Sequence, residues 1–329
     1  MSRGSNNLFP IIGEKTIDGL KEFDPENLAG SLKRDEYLDF IIGVNSDGED
    51  VTFTCNEKEL ANFFGENPGK PNYVTPVFFH RNVLDKYYAD TEKYTVHDGH
   101  LSCGGLWSLR MDNNHEKYVV VMLGDLGGLS ISEQRYWRSF NVKPEGGFSE
   151  VAFKRGFAAE WTDPSMKDLA FKGKFERFQE SWKQKHGWEL FLPLSEGDSH
   201  YFKKIRVPLK ENQSEFDELV LAITKVLIDS LNEKKIQEGL SSKITDEKGI
   251  AKLERLLSEK GIQNFEEHIK FLRELQNLKS VTASHRKGDE YNRIAKKWNI
   301  GKKRYREVYC YILDRAIQFF VFFEGVSLR

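Results

Sequence analysis

The 329-residue chain holds only three cysteines, Cys55, Cys103 and Cys310, an odd and scattered set that supplies no disulfide framework. That scarcity points to a reducing compartment, and the expected location is cytoplasmic. No uninterrupted apolar run reaches the ~18 residues a membrane-spanning helix needs. The longest apolar-rich piece, residues 316–323, is short and interrupted by Gln318, so no membrane partner is expected. Residues 1–10 contain one arginine and no apolar h-region, which does not read as a signal peptide. There is no internal repeat and no low-complexity tract.

What the chain has in quantity is charge and aromatic surface. Charged residues make up 30% and aromatic residues 13%, a composition of folded rather than disordered chains. At this length two domains are comfortable. The formal net charge of −2 hides an asymmetry. From Lys203 onward there are 26 Lys+Arg against 19 Asp+Glu, and between Lys279 and Arg306 ten against two. Such a block either solvates a helix face or attracts a polyanion such as RNA.

Patterning predicts an α+β protein: a mixed domain over 1–204 with antiparallel hairpins, a candidate recognition module, and an all-α bundle over 205–329. β-rich runs at 37–44 and 51–55 flank an Asn-Ser-Asp-Gly turn and predict a hairpin. Residues 73–79 form another strand, which Pro76 places at an edge or a bulge. Residues 80–88 have helical spacing, Asp98-Gly99 marks a second hairpin, and 117–123 is the clearest buried strand. Ser130 or Ser132 caps a helix over 130–140. After Ser214, itself a candidate cap, β signals fade. Helical faces follow at 216–233, 248–261, 264–280, 289–298 and 304–323. The last is apolar nearly all round, which marks burial or a partner interface.

Several patterns invite chemistry. His97-x-x-His100-x-x-Cys103, with Cys55, His80 and His115 elsewhere, has zinc-ligand residue types. Asp98-Gly99 already accounts for that segment as a tight turn, and no second paired motif accompanies it, so no metal is expected. Gly124-Asp125-Leu126-Gly127-Gly128 matches neither GxGxxG nor GxxxxGK[ST] and reads as a strand-ending turn. Asp112, Asp125 and Glu150 are acids that a metal-dependent nuclease would have to bring together in space. Residues 80–88 and 136–140 mix aromatics with arginine, and 161–164 opens on a tryptophan, as binding surfaces do and as ordinary cores do.

The sharpest constellation is residues 278–291, Leu-Lys-Ser-Val-Thr-Ala-Ser-His-Arg-Lys-Gly-Asp-Glu-Tyr. On one continuous helix Lys279 and His285 stand about 120° from eclipsed. A break over 280–284, favoured by β-branched Val281 and Thr282, brings them to one helix end. A neutral histidine there takes a proton from a ribose 2′-hydroxyl while neighbouring cations stabilise charge developing on phosphate. This chemistry needs no metal.

A bundle that opens on an amphipathic helix and carries a cation-x5-His element at the start of a late helix resembles the HEPN family. The resemblance covers roughly residues 214–329. It implies a metal-independent ribonuclease centre, usually composed across a dimer, in prokaryotic toxin or antiviral systems; other members bind RNA or nucleotides without cutting. His285 matches the family histidine. Lys279 stands at the arginine position, offering a point charge in place of a bidentate fork, and Ser280 stands where Asn, Asp or His is frequent. The resemblance thus implies His285 and Lys279 as catalytic residues, and Arg286, Lys287, Arg293, Lys296 and Lys297 as contacts to RNA. It also implies no cofactor, and a homodimer through the C-terminal helices. The alternative is a non-catalytic dimerising adaptor whose first domain binds a protein or ligand.

Overall fold

Turn chemistry and alternation build the first half. In the computed structural model, which describes residues 36–282 and 289–328, β1 (Asp39–Val44) and β2 (Asp50–Thr54) pair antiparallel. Asn45 shapes their turn: its side-chain oxygen accepts from the amides of Asp47 and Glu49, and Gly48 sits at φ +83°. A second sheet has the order β7–β3–β8, from β3 (Pro76–His80), β7 (Tyr118–Met122) and β8 (Asn141–Val142). The edge position expected for the Pro76 strand is therefore corrected: β3 is central. Pro76 is its first residue, where a missing N–H interrupts no ladder, and β8 pairs only with Phe78 and Phe79. The third sheet is a meander of β4 (Tyr94–His97), β5 (His100–Cys103) and β6 (Trp107–Arg110), with Gly99 at φ +86° in the expected Asp-Gly turn.

Three short helices close this half: α1 (Asp85–Ala89), α2 (Leu123–Gly127) and α3 (Ile131–Arg138). The glycine-rich stretch after β7 is α2 rather than an open turn, and its glycines are there for closeness. A Cβ at Gly124 would collide with the Tyr73 ring, and one at Gly127 with the Cys55 carbonyl. Ser130 caps α3 by accepting from the Glu133 amide at 3.3 Å. The core below is aromatic. Phe79 and Trp137 meet edge to face at 4.8 Å, and the Trp137 indole donates to the Tyr87 hydroxyl at 2.8 Å. That hydroxyl in turn donates to the buried Glu133, which also pairs with Lys86. Burial, reinforced by Glu133, pushes the Tyr87 phenol far above its usual range.

The remainder is helical: α4 (Glu150–Gly156), α5 (Lys167–His186), α6 (His200–Lys204), α7 (Gln213–Thr224), α8 (Glu233–Glu238), α9 (Gly249–Glu259), α10 (Glu266–Thr282), α11 (Asp289–Lys297) and α12 (Tyr305–Gly325). The chain is thus α+β, antiparallel sheets followed by an all-α bundle. Asn212 rather than Ser214 caps α7, accepting from the Glu215 amide at 2.9 Å. Helix α7 runs on through a π-type turn, Lys225–Asp229.

The bundle core begins at Met166, so α5 belongs with it although residues 167–186 precede position 205. Helices α5 and α12 lie along each other. Phe320 on α12 meets Phe171, Phe175 and Phe178 of α5, with ring centroids 5.1 to 5.7 Å apart. The apolar character of α12 is spent on this intrachain packing: Ile312, Leu313, Ala316, Phe319, Phe320 and Phe323 are fully buried. Among the described residues no helix is long and apolar enough to cross a membrane.

Candidate functional site

Helix α10 buries Ile269, Leu272, Leu275, Leu278 and Val281, a spacing of three, three, three and three that keeps one face inward. Lys279 is therefore on the flank of its last turn, partly buried. The helix continues through Ser280 and Val281 to Thr282, whose hydroxyl donates to the Lys279 carbonyl at 3.0 Å. His285, Arg286 and Lys287 lie outside the described residues. Arg273 is engaged in a bidentate pair with Glu254 of α9.

Helix α11 packs back on α10; its Ile294 and Ala295 are buried, as is Trp298 just beyond its end, whose ring meets Tyr311 of α12. The same periodicity turns Arg293, Lys296 and Lys297 outward, and all three are exposed. A tight turn follows, with Asn299 at φ +57° and Gly301 at φ +85°. It presents Lys302, Lys303 and Arg304 to solvent. Arg304 pairs with Glu307 at 2.9 Å. Lys296, Lys297, Lys302 and Lys303 form no ion pair among the described residues. These four lysines are close in sequence, exposed and unpaired among the described residues.

A second feature lies in the first half. Between β6 and β7 runs Met111-Asp112-Asn113-Asn114-His115, in which four residues are buried and three of those are polar. Asp112 accepts from the Asn114 amide at 3.0 Å, and from the Ser149 amide and hydroxyl at 2.6 and 2.8 Å. Asn113 clasps the β4–β5 turn, donating to the His97 carbonyl and accepting from the Gly99 amide. Asn114 reaches Asp98 and accepts from the Ser165 amide at 2.9 Å. Arg81 grips the run from below: one guanidinium nitrogen donates to the Asn113 and His115 carbonyls at 3.0 and 2.6 Å. Burial lowers the Arg81 pKa from its ordinary value.

Over this run opens a pocket of about 650 Å³, floored by Asn114, His115, Ser149 and Ser165 and rimmed by Tyr118 and Glu145. Tyr118 and Lys117 both donate to Glu145, which holds that carboxyl below its usual range and the phenol above. No sequence motif marks this pocket. Its signal is a buried Asp-Asn-Asn triplet between two strands, polar where burial demands partners.

The remaining candidates resolve individually. His97 and His100 flank the β4–β5 turn with rings stacked at 4.3 Å, while Cys103 is buried opposite Tyr94 at the far end of the ladder. Asp112, Asp125 and Glu150 do not converge: they are bonded to Ser149, Tyr73 and Lys154 respectively. Among the described residues no group of three His, Cys, Asp or Glu is arranged to hold a metal. Of the three aromatic stretches, the first two enter the core through Tyr87, Tyr88 and Trp137, whereas Trp161 is 82% exposed. Compared with known protein families, curated proteins and solved structures, the chain has no significant match to any of them.

Proposed function

We propose that the helical half is a HEPN-like module that binds RNA and cleaves it without a metal, in prokaryotic antiviral defence or toxin biology. His285 is the general base, taking the proton of a ribose 2′-hydroxyl. Lys279 and Arg286 stabilise the charge that develops on the adjacent phosphate. Lys287, Arg293, Lys296 and Lys297 hold the strand. The observation that carries this reading is the lysine-rich exposed face of α11 and the turn after it, unpaired among the described residues, on a helix that packs against α10, the helix bearing Lys279. HEPN-like centres are usually composed across two copies, and a second chain would seat on the few apolar residues that α12 leaves exposed, Tyr311 and Val321.

The test uses purified protein and its His285→Ala variant with structured and single-stranded RNA, with and without EDTA. Cleavage is expected to survive EDTA and to fall by about 10²-fold or more in the variant. Equal cleavage by both proteins, or none under any condition, removes the catalytic assignment. Intact RNA together with a stable dimer would instead favour the non-catalytic adaptor. Binding that weakens with salt, and weakens further in Lys296→Glu with Lys297→Glu, supports the RNA-binding part by itself.

A further inference from the structure

Two features absorbed by neither the fold nor the ribonuclease reading adjoin the pocket over residues 114–118. Phe153, Phe157 and Trp161 are 57%, 56% and 82% exposed within nine residues of chain. Phe153 and Phe157 stack on each other at 5.7 Å, and Phe157 meets Phe148 at 5.9 Å. The Arg155 guanidinium stands 5.5 Å over the Trp161 ring. It is itself fixed by Asp98 at 2.8 Å and by the Thr162 carbonyl at 2.6 and 2.9 Å. Trp161 is thus oriented by a clamped cation yet left in solvent. Arg306 also donates to the carbonyl of Glu116, a residue of the pocket lining, at 3.4 Å, which brings the first turn of α12, preceded in the chain by Lys302 and Lys303, against the pocket.

The chemistry of the three parts differs in a way that selects a ligand. The pocket lining carries Glu116, Glu145, Glu150 and Asp163, the last three paired with Lys117, Lys154 and Arg177, so it offers carboxylate acceptors to N–H donors and no net positive charge to draw in a phosphate. Its volume of about 650 Å³ falls within the ~300–1,000 Å³ of small-ligand clefts. The aromatic side offers ring faces, and the lysine turn offers charge without neutralising acids. A polyanion whose apolar, hydrogen-bonding units splay away from its charges meets all three requirements at once. A duplex does not, because its bases are stacked inward.

We propose that the pocket floored by Asn114, His115, Ser149 and Ser165 takes an unstacked base of single-stranded RNA, with neighbouring bases on Trp161 and Phe157 and the backbone on Lys302 and Lys303. The inference rests on the RNA-binding reading above and deepens it, and it does not involve His285.

Fluorescence anisotropy of a labelled oligoribonucleotide tests it, comparing the single strand with its duplex. Wild-type protein is expected to prefer the single strand. Trp161→Ala and Phe157→Ala are each expected to weaken single-strand binding by about tenfold, the usual scale for losing one stacked base, and to leave its salt dependence unchanged. Lys302→Glu with Lys303→Glu is expected to reduce the slope of log affinity against log salt by about 1 to 2. Single-strand affinity unchanged in both aromatic variants, with the lysine variant weakened, overturns the base-binding inference and leaves the RNA-binding reading standing. Equal wild-type affinity for strand and duplex overturns it too. Trp161→Ala that abolishes a protein–protein association but not RNA binding reassigns the patch to a protein partner. No RNA binding by wild-type protein at low salt removes both.

Discussion

At the scale of single residues, His97 shows how a side chain of ordinary chemistry acquires an unusual setting. Its ring stacks on His100, and Lys172 from α5 and Lys203 from α6 face it. Burial first, then these three positive or protonatable neighbours, hold its pKa below the usual value. The unfolded chain therefore takes up a proton at this histidine before the folded one does. The stability it contributes is intact above an unfolded pKa of about 6.5 and is lost as pH falls below it. The thermal midpoint is expected to drop between pH 7 and pH 5, and the drop should be shallower in His97→Gln. Identical pH profiles for the two proteins would show that His97 is not a source of the acid sensitivity. Little of this is visible in the sequence. The Asp98-Gly99 turn is, and so is the histidine pair, but the two lysines come from segments more than 70 residues downstream. The Arg81 grip on residues 113–115 is hidden for the same reason, since its partners are carbonyls and any residue supplies a carbonyl.

At the scale of elements, local chemistry was legible where it acts within a few residues. The Ser130 cap, the Asn45 turn and the period of α10 are all read directly from sequence because their partners are close along the chain. Apart from the α7 cap, where Asn212 stands two residues before the expected Ser214, the differences lie where a distant neighbour decides. Pro76 signals an edge only if nothing pairs beyond the start of the strand, and β8 pairs further along. Gly124 and Gly127 look like turn residues until Tyr73 and Cys55 are found pressed against them. The consequence is testable on α2. Gly127→Ala gains up to ~1 kcal/mol of helix propensity, yet its methyl group meets an immobile carbonyl. The variant is expected to be less stable by about 1–3 kcal/mol in urea unfolding. Gly156→Ala on α4, where an added Cβ meets nothing within 4 Å, is the control and should be neutral or slightly stabilised. A stabilised Gly127→Ala would mean that α2 can move away from Cys55.

At the scale of the molecule, composition foretold the order of parts, sheets first and helices after, and the concentration of positive charge in the bundle. It did not foretell where the helical core begins, because the aromatic spacing of α5 reads equally well as part of the first half. Nor did it reveal the pocket, whose lining joins residues from three separate stretches. The helix pair α5–α12 carries much of the bundle, and Phe320 is central to it, fully buried among Phe171, Phe175, Phe178 and Phe191. Phe320→Ala is expected to cost about 3–5 kcal/mol, read as a lower denaturant midpoint with the secondary structure of the sheets retained at low denaturant. A loss below about 1 kcal/mol would show that the pair is not what holds the bundle.

The same pair has a consequence for how the protein comes into being. Helix α5 emerges from a ribosome well before α12 is translated, and at ~5–20 residues per second the interval between His186 and Tyr305 is on the order of ten seconds. Throughout that wait the phenylalanine stripe of the nascent helix can reach Phe191 and Phe202 but lacks Phe320, the ring that covers Phe171, Phe175 and Phe178 together. Synthesis thus leaves a sticky intermediate whose maturation hinges on residues 305–325. A nonsense codon near position 304 would yield an aggregating fragment in place of a shortened protein.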